Sequence, residues 1–263
     1  MWTPEDRRLV GDYGACQARR TPPQHEHVPT AGCPVHRGAD RLQWRCLPSP
    51  PAFPPWPTAY SYFRAFLEAG VWENLRHHLL VMLREQEGSD PTPTAAIFDT
   101  QNVKTTKRGT LSFDAAKKVK GRKRHIAVDT SGFLLGVLVQ AVDIQDTGST
   151  GGALLTQIKR LYCWLRAVFA DSIYNRMPVI LVYFLLGLTL IIVRRIAGDG
   201  FILVPRRWVV ERSFGWLRRW RRLSKDHEEC TDIPEAMVTI AAIRIMLHRL
   251  VHLNRRRLRS PDF

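Results

Sequence analysis

The stretch Lys123-Arg-His-Ile-Ala-Val-Asp-Thr-Ser-Gly-Phe-Leu-Leu-Gly-Val-Leu-Val-Gln-Ala-Val142 decides the fold. Two runs rich in apolar and β-branched residues, 123–129 and 133–142, flank the turn Thr130-Ser131-Gly132, and so predict two strands joined tightly and therefore antiparallel. Upstream, Thr94 to Val103 predicts a third strand. Downstream the pattern alternates: a helix over 147–161, a strand over Leu165 to Ala170, a helix in the 174–187 region and a strand over Leu188 to Val193. Two long helical patterns follow, Arg206 to Leu223 and Pro234 to Leu253. Three meandering strands followed by helix-separated ones predict an α/β fold, a mixed sheet covered by helices on both faces.

Before this region, Tyr62, Phe63, Phe66 and Leu67, then Val71, Leu75, Leu79, Met82 and Leu83, recur three and four apart. That spacing predicts two amphipathic helices parted near Gly70, with Gly88-Ser-Asp-Pro-Thr-Pro93 as a linker. Residues 1–57 end in Pro48-Ser-Pro-Pro-Ala-Phe-Pro-Pro-Trp-Pro57 and hold no sustained period, so they read as a poorly ordered, proline-rich segment. The chain therefore divides into 1–57, a helical region and linker over 58–92, and the α/β region over 93–263.

In the 263 residues, 39 Lys and Arg stand against 24 Asp and Glu, giving a formal charge of +15. With 45% apolar residues, this describes a folded protein that attracts a polyanion, most simply nucleic acid. The five cysteines are scattered, which speaks against a disulfide framework and for a reducing, cytoplasmic setting. The apolar run Val179 to Val193 is broken by Gly187 and is too short to cross a bilayer, so no membrane partner is expected. Cys16, His25, His27, Cys33 and His36 match no standard zinc spacing.

Asp99 follows the apolar run Ala95-Ala-Ile-Phe98, and Asp171 follows Leu165-Arg-Ala-Val-Phe-Ala170. Both are placed at carboxyl ends of strands, where open α/β sheets bind ligands, and together they could share a divalent metal. On the helix that follows, Glu211, Gly215, Arg218 and Arg222 fall on one stripe at about 100° per residue. A stripe of one acid, one glycine and two arginines on an otherwise apolar helix has to face a cleft. Three carboxylates holding two metals, with arginines on phosphates, are what phosphodiester chemistry requires. The run Lys104 to His125 holds nine Lys and Arg, and Arg194 to Lys225 holds ten. Both flank the carboxylates and are read as sequence-independent phosphate contacts, with Lys104, Arg122, Lys123, Arg124, His125, Arg207, Arg218 and Arg222 as the DNA-binding candidates.

Several segments resemble bacterial DDE transposases of the insertion-sequence-five type, within the insertion-sequence-four/five superfamily. They are Phe98-Asp-Thr-Gln-Asn-Val-Lys-Thr105, Gly121-Arg-Lys-Arg-His-Ile-Ala-Val-Asp129, Asp143-Ile-Gln-Asp146, Ala170-Asp171, and Pro205-Arg-Arg-Trp-Val-Val-Glu-Arg-Ser-Phe214 with Arg221-Arg-Leu-Ser-Lys225. Gln43-Trp-Arg45 and Phe53-Pro-Pro-Trp56 resemble that family's N-terminal region. The resemblance implies a ribonuclease-H-like DDE catalytic domain over 93–263, dependence on Mg²⁺ or Mn²⁺ with two ions, and Asp99, Asp171 and Glu211 as the acidic triad. It implies a transposase that cuts double-stranded DNA at its element's ends and joins the 3′-hydroxyls to target DNA, working as a homodimer in the synaptic complex. Arg207 matches the arginine of the family's Tyr-x2-Arg-x3-Glu-x6-Lys signature, whereas Val204 and Arg218 stand at its tyrosine and lysine positions. The alternatives are a basic DNA-binding protein that keeps the fold without cutting, and a ribonuclease-H-like nuclease without strand joining.

Overall fold

A computed structural model describes residues 43–48, 54–105, 112–114, 119–142, 149–171, 174, 183–193 and 207–257. A 3-10 turn at Trp44–Cys46 precedes α1 (Trp56–Glu68) and α2 (Val71–Gln86). Pro57 sits in the first turn of α1, where its missing N–H costs nothing. Gly70, with φ 68°, takes the left-handed conformation that lets the chain reverse between the two helices. The sequence-predicted break at this glycine is observed.

The sheet contains β1 (Ala95–Lys104), β2 (Ser112–Asp114), β3 (Val119–Val128), β4 (Leu134–Ala141), β5 (Ala167–Ala170) and β6 (Thr189–Ile192). Helix α3 (Ser149–Leu161) links β4 to β5; α4 (Arg207–Arg218) and α5 (Asp232–Arg257) follow β6. β3 lies centrally, antiparallel to β1 on one side and to β4 on the other, while the short β2 pairs with residues 119–121 at its start. On the far side of β1, β5 and then β6 run parallel to it. The order β4-β3-β1-β5-β6, an antiparallel meander extended by parallel strands, is the ribonuclease-H-like mixed sheet expected from the sequence.

Several elements differ from the sequence reading. β2 was not foreseen, and β3 begins at Val119, within the basic run. The α4 pattern does not reach Leu223: the helix ends at Arg218, and Arg221–Leu223 form a 3-10 turn. The helix expected over 174–187 falls largely outside the described residues, as do Asp143, Asp146 and residues 1–40 with their His and Cys positions.

One hydrophobic core joins the helical region to the sheet, running from Phe63, Trp72 and Leu79 through Phe98, Ile126 and Leu135 to Val210, Met237 and Ile243. On one face α4 packs on β1 and β3, and α5 packs on β4 and α2. On the other, α3 meets β4 at Gly136, where a Cβ would stand 2.9 Å from both Leu154 and Ile158 side chains. Two buried arginines of α2 clasp the β3–β4 hairpin. Arg76 donates to the Leu134 carbonyl at 2.7 Å and to the Tyr162 hydroxyl, and Arg84 donates to Asp129 at 2.7 Å. Asp129 in turn accepts from the Ser131 and Phe133 amides and so shapes the turn, while burial pushes its carboxyl up. Helix α5 is long and apolar enough over Asp232–Leu253 to span a bilayer, but Met237, Ile240, Ala241 and Met246 lie inside the core.

Candidate functional site: two aspartates beside an arginine-rich helix

Ala95, Ala96 and Ile97 of β1 lie opposite Ala167, Val168 and Phe169 of parallel β5. Carried two residues further, the same register would set Asp99 beside Asp171, which directly follows the end of β5. In-register residues of parallel neighbours project from the same face, on strands about 4.8 Å apart. Asp171 directly follows β5 as expected, but Asp99 is not at a strand end: β1 runs on to Lys104 through its pairing with β3, so Asp99 lies mid-strand. Both aspartates are half-buried. Asp99 also stands opposite Ile126 of β3, and Ile126 lies with Ser213, Leu217 and Met246 beneath α4 and α5. Asp99 therefore belongs to the sheet face that α4 covers, and a continued register would bring Asp171 to the same face.

The orientation of α4 is fixed by its contacts. Arg212 donates to the Ser131 carbonyl at 2.7 Å, and the Ser213 hydroxyl donates to the Gly132 carbonyl at 2.7 Å. Those bonds turn one flank of the helix toward the β3–β4 turn, and Trp216 follows on that flank beside Phe133. Glu211 and Arg218 are on the opposite flank, toward β1, and both are exposed. Val209, Val210, Phe214 and Leu217 are buried beneath. Gly215 lies on the exposed crest with nothing within 4 Å of the position its Cβ would take.

Two aspartates side by side are the hard oxygen donors a divalent cation takes, so this pair fits such an ion. Among the described residues, no three His, Cys, Asp or Glu side chains stand together closely enough to hold a metal. The full convergence of Asp99, Asp171 and Glu211 expected from the sequence is thus not present in these side-chain positions; three carboxylates at one point repel one another unless a cation lies among them.

The basic candidates separate sharply. Lys104, at the end of β1, and Arg218 are exposed. Arg207 lies at the start of α4, and its side chain is outside the described ones. Arg222 is not on the Glu211 stripe: it lies past the end of α4 and pairs with Glu228. Arg122, Lys123, Arg124 and His125 do not face solvent at all, with exposures of 1%, 5%, 2% and 0%. The physical reason is the position of β3, paired along both edges and covered on both faces. Arg122 pairs with Asp226 at 3.3 Å and donates to the Glu229 and Cys230 carbonyls. Arg124 donates to the Leu223 carbonyl at 2.7 Å, and burial first, then neighbouring Arg122, pushes its guanidinium down to about 10. His125 lies 6.1 Å, ring to ring, from Phe98. Arg122 and Arg124 fasten the segment after α4 to the sheet, assisted by the Asp226 amide, which donates to the Lys104 carbonyl at 2.9 Å. All four are corrected from phosphate contacts to structural residues. The sequence signal for this was the central place of the strand in the meander, which outweighs its charge.

Residues missed by sequence reasoning include Arg84 and Asp226, whose buried ion pairs hold β3 from both ends. Only their tertiary partners reveal them.

No curated protein sequence matches the chain. Among solved structures, the catalytic core domain of BIV integrase superposes with a TM-score of 0.36 and 17% identity, over 57% of this chain and 81% of that one, too loosely to carry any inference. Residues 90–246, which span all six strands, the Asp99–Asp171 pair and α4, match the family described as the transposase DDE domain. With that match over more than half its length, this chain belongs to the transposase DDE domain family.

Proposed function

We propose that this DNA transposase is of the insertion-sequence-five type and that Asp99, Asp171 and Glu211 are its acidic set. The observation that carries the reading is the register of β1 and β5, whose last pair, Ile97 and Phe169, lies two residues before Asp99 and Asp171. Asp99 and Asp171 would hold Mg²⁺ or Mn²⁺, as one ion or a pair, and Glu211 would complete the ligands by swinging in from the α4 flank. Bound there, the cation would supply Lewis-acid polarisation of a phosphodiester. The chain's own residues do the rest. Arg218, seven residues after Glu211 on the same flank, and Lys104 at the end of β1 bind phosphate oxygens and fix the strand across the carboxylates. Such contacts read no base. Two copies of the chain would each hold one element end in the cytoplasm, so that cutting and joining to target DNA occur in one assembly.

The test is Asp171→Asn in the full chain, given duplex DNA with an element end and Mg²⁺. Strand cleavage and strand transfer should be lost, while salt-dependent binding to duplex stays at the wild-type level. Retained cleavage would remove Asp171 from the site. Wild-type protein that binds but never cuts would favour the DNA-binding alternative, and cutting without joining would favour the nuclease.

A further inference from the structure

Across the crest of α4 from Glu211 and Arg218, a cleft of about 310 Å³ opens between α4 and α5. Trp216 and Trp220 form its indole walls, and Arg219, Arg244, His248 and Arg249 its rim. No carboxylate lines it among the described residues. Arg249 is held by Glu87 at 3.0 Å, and the His248 and His252 rings meet at 3.0 Å. Arg219 and Arg244 are exposed, and neither forms an ion pair with a described residue. Glu87 offsets Arg249, so the uncompensated positive charge here is that of Arg219 and Arg244. Arg212, stacked 4.4 Å from Trp208 and 4.8 Å from Trp216, already has its guanidinium pushed down, by burial first and by Arg249 second.

An exposed basic rim beside apolar indole edges complements a polyanion whose charged phosphates alternate with apolar deoxyribose edges, as along a duplex backbone. A helix with its side chains is about 10–12 Å across, and one DNA strand advances about 3.4 Å per step, so crossing α4 takes about three steps. Gly215 keeps the crest between the two flanks low.

We propose that the α4–α5 cleft seats the phosphate backbone of duplex DNA about three base-pair steps from the scissile phosphodiester, with Arg219 and Arg244 as the phosphate-binding residues. This rests on the reading of Asp99, Asp171 and Glu211 as the site of cutting.

The test titrates full-length Arg219→Gln/Arg244→Gln with a random-sequence duplex and with an element-end duplex over a range of salt. Loss of two phosphate contacts should lower the slope of log affinity against log salt by about 1.8 on both duplexes. Both residues are exposed, so the melting temperature should not move, and Arg219→Lys/Arg244→Lys should restore the slope. Phosphate-ethylation interference on the wild-type complex should mark backbone positions about three steps from the cut, and these marks should vanish in the double glutamine variant. An unchanged slope, or marks that persist in that variant, would overturn the cleft. Asp171→Asn separates the two readings: continued cutting by that variant sinks the catalytic assignment, whereas an unaltered slope in the glutamine variant beside a non-cutting Asp171→Asn sinks the cleft alone.

Discussion

Replacing Arg122 with Met should unfold the protein more easily and leave its grip on DNA unchanged. Arg122 and Asp226 pair at 3.3 Å with each side chain 1% exposed, and Arg122 also donates to the Glu229 and Cys230 carbonyls. Methionine fills most of the volume but leaves the Asp226 carboxylate buried, with the Glu228 amide at 3.0 Å as its remaining bond beside the nearby Arg124 charge. Removing one partner of a buried ion pair costs about 3–5 kcal/mol; the surviving amide bond and Arg124 put this case at the low end, about 3 kcal/mol. For a chain of this size, each kcal/mol lowers the melting temperature by about 2–4 °C, so the expected fall is about 6–12 °C. Arg122→Met/Asp226→Leu, which removes the stranded charge as well, should recover most of the loss. The assay pairs thermal unfolding with duplex binding across salt concentrations. A variant that melts like wild type but binds DNA with a slope shallower by about 0.9 would refute the reasoning, because that is the signature of one lost phosphate contact.

Two further perturbations probe the packing around the same sheet. Gly121 of β3 lies so close to the Val103 carbonyl of β1 that a Cβ would overlap it. Gly121→Ala should therefore force β1 and β3 apart beyond Lys104 and destabilise by about 2 kcal/mol or more, read as a lower denaturation midpoint; an unchanged midpoint would show that the strands part freely there. Glu235 accepts from the Val139 amide at 2.7 Å, and burial, with Glu73 and Asp232 nearby, pushes its carboxyl from 4.5 up to about 7. The fold thus holds this proton more tightly than the unfolded chain does. Its contribution is complete below about pH 4.5 and is lost as pH rises through about 7. Glu235→Gln should flatten that part of the stability profile and gain about 2 kcal/mol above it; a profile as steep as wild type would place the titration elsewhere.

The strands were legible because their signals are local. Thr130-Ser131-Gly132 between two apolar runs specifies an antiparallel hairpin with no knowledge of the rest, and Asp129 stabilises that turn by accepting from residues two and four further on. Gly70 marked the break between α1 and α2 for the same kind of reason, since its φ of 68° suits glycine alone among the residues nearby. β2 was invisible because a three-residue strand has no period to detect and exists only through its pairing with β3. The end of α4 was also missed. Trp220 and Leu223 continue the apolar spacing past Arg218, yet their burial is achieved in a 3-10 turn, where the segment bends back to bond Arg124 and Arg122.

Within the site, the same division between local and nonlocal information separates what could be read from what could not. An aspartate following an apolar run is a local pattern, and two of them suffice to propose a shared cation; whether they come together depends on β1 and β5 being neighbours, which the pairing of the strands establishes and the sequence did not. Charge is different. A lysine or arginine has the same formal charge wherever it lies, so a count over Lys104 to His125 cannot separate Lys104, exposed beyond the sheet, from Arg122 and Arg124, sealed beneath Leu223 to Cys230. Strand position supplies the missing information: β3 has a neighbour on each side, so its side chains alternate between two covered faces. Basic residues there persist because each guanidinium finds a carboxylate or carbonyl that belongs to the segment after α4, and that segment is thereby tied to the strand beside Asp99. In the proposed site the basic run would serve DNA indirectly: Arg122 and Arg124 anchor the segment that follows α4, and with it the helix that carries Glu211 and Arg218.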